Sequence, residues 1–224
     1  FCSREIKQGN LVFQSVLARI YRKALHLGIF IDNNSIQAGE LKNIITLFSR
    51  LGLHQLAQET FTKYKELLSV VADPSTVKNI RAIMHFHQGR FAEARTLFLD
   101  VIGDSEDLFF HTDARLYAWE CTFELCEFKA EALNADHSPF ITESDKLRTF
   151  RGRLQATTQF LRSIDRHYAL MMAMYDAETR AKNHAIKLKK WQKIHADLQD
   201  EKNVRHLSWF KQKAIEAIAR LSPG

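Results

Sequence analysis

Residues 77–102 read VKNIRAIMHFHQGRFAEARTLFLDVI, and this stretch decides the fold. Apolar residues recur at three- and four-residue steps on both sides of His87-Gln88-Gly89-Arg90-Phe91. That spacing gives a helix, a glycine that ends it, a tight turn, and a second helix folding back on the first. The same grammar extends outward. Leu41, Ile44, Ile45, Phe48 and Leu51 form one apolar face stopped at Gly52, and Leu56, Ala57, Phe61, Tyr64, Leu67, Leu68 and Val71 predict a second helix through 71. Gly52 and Gly89 lie 37 residues apart, and a further 37 reaches Cys126. Ala57 and Ala94, and Phe61 and Phe98, keep that interval. A fixed period in the thirties with helices reversing at a glycine indicates a solenoid of helix pairs.

Gln88-Gly89-Arg90-Phe91-Ala92-Glu93-Ala94, with Phe98 four residues on, resembles the turn and second helix of a tetratricopeptide repeat (TPR). The resemblance spans about residues 36–132 in three divergent repeats, with Glu131 where the third would carry a small residue. Phe61-Thr62-Lys63-Tyr64-Lys65, Asp113-Ala114-Arg115-Leu116-Tyr117 and Gln159-Phe160-Leu161-Arg162 are similar to segments of uncharacterised bacterial TPR-like proteins. The resemblance implies an all-α, α-α superhelix of antiparallel pairs over 1–140, followed by a basic helical cap over 141–224 packed on the solenoid. It also implies an inner surface lined by the first helix of each pair. In this chain that surface takes Lys42, Thr46 and Arg50, then Asn79, Ile83 and His87, then Leu116, Glu120 and Glu124. A peptide or protein partner with complementary charge fits such a groove. Repeats that clamp chaperone C-termini need asparagine where Thr46 and Ile83 stand, so that activity is not expected.

Composition agrees with an all-α chain: 224 residues, 46% hydrophobic, with only eight glycines and three prolines. No signal peptide or long apolar span is evident, and the cysteines fit a reducing cytoplasm, with Cys121 and Cys126 reduced and buried. The chain opens at Phe1 and enters a helical pattern at once, as a fragment of something longer would.

The net charge of +6 is unevenly placed. Through Glu143 there are 15 Lys and Arg against 18 Asp and Glu, a balance of −3; the remainder carries 17 against 8, or +9. Further boundaries follow from caps. Asn10 opens a helix ending near Gly28, Ser35 caps the next after the Asp32-Asn33-Asn34 turn, and Asp73-Pro74-Ser75 separates the pairs. Beyond Ser138-Pro139 a helix is expected over 146–164, another capped by Asp165, a polar stretch over 176–184 that is either a bend or simply exposed, and a last helix preceded by Asp200.

Nothing in the sequence points to catalysis, a cofactor or a metal. His85 and His87 are two apart and diverge on a helix, while His184 and His195 are separated by roughly 16 Å of helix. There is no CxxC pair and no glycine-rich phosphate loop. Glu120, Glu124 and Glu127 read as a solvated or partner-facing acidic row. The main rival to protein binding is nucleic-acid binding through Lys182, Lys187, Lys189, Lys190 and Lys193 around Trp191. Trp191 shares a line with Leu188, Ile194 and Leu198, which turns it toward a core instead. The Met171-Met172-Met174 cluster reads as packing.

Overall fold

The computed structural model describes residues 12–68, 75–104, 108–126, 137–181, 183–202 and 204–222. Phe1, Asn10, Val71, Asp73, Pro74, Glu127, Glu131 and Lys182, all invoked above, lie outside the described residues. Among the described residues there are ten α-helices and no strand, only two isolated β-bridges. The chain divides into two compact units, 1–125 and 126–224.

The first unit holds α1 (Phe13–His26), α2 (Ala38–Arg50), α3 (His54–Tyr64), α4 (Ser75–His87), α5 (Phe91–Asp104) and α6 (Leu108–Leu125). The boundaries repeat. Helices α2 and α4 start at 38 and 75 and end at 50 and 87; α3 and α5 start at 54 and 91, so each interval is 37. Cys126 follows directly on the end of α6.

The glycines explain the punctuation. Gly52 and Gly89 sit at φ +72° and +75°, in the left-handed region where a side chain is disfavoured. Each ends its helix in the same hydrogen-bonded pattern. Gly52 N–H donates to the Ser49 carbonyl (3.0 Å) and Leu53 N–H to Phe48 (2.9 Å); Gly89 donates to Phe86 (3.0 Å) and Arg90 to His85 (2.9 Å). This motif satisfies carbonyls that a helix end leaves open and reverses the chain at once.

Helix α2 packs along α3 and α4, and α4 along α5 and α6, so the first helices of successive pairs are neighbours. Ala57, Ala94, Phe61 and Phe98 are all buried at equivalent places in α3 and α5. Phe98 stacks on Tyr117 of α6 (4.9 Å between ring centres), and Phe86 of α4 meets the same ring edge-on (4.9 Å). Arg95 Nε donates to Thr122 Oγ1 (2.8 Å), tying α5 to α6.

Some boundaries differ from the sequence expectation. The helix expected through 71 ends at Tyr64 and tightens into a 3-10 turn, Lys65–Leu67. There the Leu67 carbonyl accepts from Ile36 N–H (2.7 Å), a tertiary bond that removes it from any continuing helix. Ser35 does not cap α2: its hydroxyl donates back to the Asp32 carbonyl (2.9 Å) in a turn whose centre, Asn33 and Asn34, has φ of +47° and +60°.

The second unit holds α7 (Ser138–Arg153), α8 (Thr158–Thr179), α9 (His184–Gln199) and α10 (Leu207–Leu221). The single helix expected over 146–164 is therefore two, broken at 154–157. Thr157 caps the second, its Oγ1 accepting from Phe160 N–H (3.3 Å). Asp165 caps nothing; inside α8 it accepts both guanidinium bonds of Arg151 (2.8 and 2.7 Å), joining α8 to α7. Of the two readings of 176–184 the bend holds: Asn183 caps α9 by accepting from Ile186 N–H (2.9 Å). Asp200 closes α9 and does not cap α10, which starts after His206. Met171 and Met174 are buried, as is Trp191.

Candidate functional site

The residues expected to line an inner surface stand on the three neighbouring first helices: Lys42, Thr46 and Arg50 on α2, Asn79, Ile83 and His87 on α4, Leu116, Glu120 and Glu124 on α6. The row is only partly accessible. Asn79, Ile83, Leu116 and Glu120 are buried, and the other five are half-buried. Glu120 in particular does not belong to a solvated acidic row, because every residue from Leu116 to Phe123 on α6 is buried and the helix has no outward face there.

At one end the row is bridged. Lys42 Nζ forms an ion pair and hydrogen bond with Asp113 and lies over the Phe110 ring (4.8 Å to its centre), so α2 reaches α6 across α4. Both partners are nearly withdrawn from solvent, with side chains 14% and 10% exposed. A lysine paired in this way is part of the scaffold.

The rest of the row is short of partners. Thr46 Oγ1, Arg50 Nε, both amide atoms of Asn79 and His87 Nε2 are shut from solvent with no hydrogen bond; so is Nδ1 of His54, the first residue of α3. Buried polar atoms in native proteins are ordinarily paired, and each exception calls for an explanation. Burial, then the nearby charges of Arg50 and His54, drive the His87 imidazole down to about 3, so it is neutral at physiological pH. Burial, reinforced by Glu124 and Asp113 and opposed by Arg50, holds Glu120 well above the usual carboxylate range. Burial likewise pushes the Cys121 thiol up, which makes it a poor nucleophile. Cys126, expected to be buried, is half-exposed at the end of α6.

Three participants escaped the sequence reading. Asp113 and Phe110 are off the four-residue line through Leu116, and only the opposite charge of Asp113 hinted at Lys42. His54 opens α3 two residues after Gly52, which puts it beside the end of α2.

The basic stretch of α9 is divided by its neighbours. Lys187 Nζ pairs with Glu178 of α8 (2.7 Å), and Lys190 Nζ donates to the Asp176 carbonyl (3.1 Å). Of the described lysines in this stretch Lys189 and Lys193 are exposed and Lys187 and Lys190 half-buried, and Lys182 is outside the described residues. Trp191 is 1% exposed and donates its indole N–H to Glu178 (2.9 Å), leaving no ring face for a base. Arg220 of α10 also donates to Glu178 (2.5 Å).

Comparison with protein-family models, curated proteins and solved structures gave no significant match to this chain. Among the described residues, no helix is long and apolar enough to cross a membrane.

Proposed function

We propose that this chain is a non-enzymatic interaction scaffold, a TPR-like solenoid in its first unit that holds a peptide or protein partner along the row formed by α2, α4 and α6. The recurrence of helix boundaries at 37 supports the repeat architecture. The observation that carries the functional reading is the line of half-buried polar side chains, Thr46, Arg50 and His87, on the first helices of adjacent pairs, each with a polar atom that has no hydrogen-bond partner. A partner's backbone and side chains are the natural complement to the parts of these groups that reach the surface, and main-chain carbonyls match the donors of a guanidinium like Arg50. The cytoplasm is the compartment proposed.

Arg50→Met tests this more cleanly than charge reversal at Lys42, which would break the Asp113 pair and disturb the array. Arg50 is half-buried with no hydrogen bond at Nε, so an apolar side chain of similar reach leaves the free protein close to its original stability. Peptides selected from a displayed random dodecamer library on the wild-type chain should lose at least tenfold in affinity for the variant. Equal affinity, or no enriched peptide, would overturn the proposal.

A further inference from the structure

Helix α1 has the register of a second helix without the cover of one. Its last residue, His26, is within one residue of the 37-residue interval back from Tyr64, where α3 ends. Counting 37 back from Ala57, Phe61 and Tyr64 on α3, which recur as Ala94, Phe98 and Val101 on α5, gives Ile20, Ala24 and Leu27. All nine residues are aliphatic or aromatic. The six on α3 and α5 are exposed by 4% or less, yet Ile20 is 49% exposed and Leu27 61%, and only Ala24 is closed off. Helix α1 instead turns Gln14, Ala18 and Leu25 into the unit, where it packs on α2. The apolar line through half-buried Val16, Ile20 and Leu27 is left open, at the spacing by which one helix receives another.

We propose that this line docks an acidic amphipathic helix of a partner protein, lying along α1 where the first helix of a pair would lie. The proposal goes beyond the row on α2, α4 and α6, to which α1 contributes no residue.

The partner's charge follows from that of α1. The helix carries Arg19, Arg22, Lys23 and His26, all exposed, and no aspartate or glutamate. Its three permanent cations take no part in the ion pairs among the first unit's described residues, Lys42–Asp113, Lys65–Glu66, Lys78–Asp104 and Arg90–Glu93. Lys23 falls between Ile20 and Leu27 on the line, and Arg19 lies one turn before it. A partner helix with acidic residues beside its own apolar stripe meets both demands. A second copy docked by the same line would set these cations against their equals, which like-charge repulsion opposes. A lipid surface takes a broad apolar face, whereas the side of α1 next to this line is already packed into the unit.

The test is fluorescence anisotropy of a labelled designed peptide of roughly 18 residues, long enough to become helical on docking. It has leucine at the two core places of each heptad and glutamate beside them, and a second peptide has lysine for each glutamate. The full chain should bind the glutamate peptide and not the lysine one, and more weakly as salt is raised. Ile20→Ser and Leu27→Ser, at exposed positions that leave the inward side of α1 intact, should each weaken binding by about fivefold or more. The double reversal Arg19→Glu with Lys23→Glu should exchange the preference between the two peptides. Absence of binding, equal binding of both peptides, or an unchanged response in all these variants would overturn the proposal. So would sedimentation of the chain with vesicles of phosphatidylcholine and phosphatidylserine in equal parts, if Ile20→Ser abolished it, since the line would then be a lipid contact. A dimer of the chain lost in the same variant would overturn it in favour of a second copy. Arg50→Met should bind the glutamate peptide as the wild type does, so either surface can fail while the other stands.

Discussion

Glu178 receives the indole N–H of Trp191 across 2.9 Å, and this bond sets the second unit's interior. The carboxylate is 3% exposed and is also met by Lys187 at 2.7 Å and Arg220 at 2.5 Å, so one acidic side chain of α8 gathers donors from α9 and α10. Two cations around one buried carboxylate compensate its lost hydration, which neither would do alone. The basic character of α9 is thus partly structural.

Glu178→Ala should therefore be costly, because it strands the indole N–H and two cations. The expected loss is about 3–5 kcal/mol, the range for removing one partner of a buried pair. Glu178→Gln keeps an acceptor for Trp191 and should cost less. Urea unfolding of both variants checks the order; a loss below about 1 kcal/mol for Glu178→Ala would show that the cluster contributes little.

The turn glycines give a paired prediction. A Cβ on Gly89 would touch nothing within 4 Å, so the cost of Gly89→Ala comes from φ +75° alone, about 1 kcal/mol. Gly39, in the first turn of α2, also has open space and no left-handed backbone, so Gly39→Ala should stabilise by up to about 1 kcal/mol. Thermal unfolding that shifts in the same direction for both would contradict the backbone argument.

What the sequence disclosed follows from the range of the forces involved. Gly52 and Gly89 act within a few residues, so their positions and the period of 37 were readable without coordinates. Trp191 was also readable as an inward residue, since a single helix face carries Trp191, Ile194 and Leu198. The early end of α3 was not, because it depends on Ile36 bonding to Leu67 from 31 residues away. The break at 154–157 was masked by apolar spacing that runs from Leu147 to Ile164 across two helices. At the candidate site the row itself was legible, but Lys42 was read as a groove residue when it pairs with Asp113, 71 positions later. No local pattern encodes that pairing, nor the burial that leaves Asn79 without partners.

Ala94 lies where α5 crosses its neighbours and is fully buried. Ala94→Leu inserts a bulky side chain into filled space and should cost about 1–3 kcal/mol. Ala92, exposed two residues earlier on the same helix, is the control, and Ala92→Leu should change stability by less than about 0.5 kcal/mol. Equal effects at both positions would remove the close crossing from the account of the fold.

His87 and Glu120 should give the stability–pH curve two opposed limbs. The His87 ring titrates near 3 when folded and near its ordinary 6.5 when unfolded. Below pH 6.5 the unfolded chain takes up a proton that the folded one refuses, so stability falls toward pH 3 by up to about 1.4 kcal/mol per unit. Glu120 works the other way. Its folded value is raised above the ordinary 4.5, so the folded chain keeps a proton that the unfolded chain has released, and stability is lost as pH rises from 4.5 through the folded value. Glu120→Gln should abolish this second loss while leaving the acid limb of His87 in place, and His87→Gln should do the reverse. Urea unfolding at unit steps from pH 4 to 8 distinguishes them. Parallel curves for the wild type and Glu120→Gln above pH 4.5 would mean that Glu120 ionises in the folded chain as freely as in the unfolded one, and its buried position on α6 would then be stabilised by charge pairing instead of by its proton.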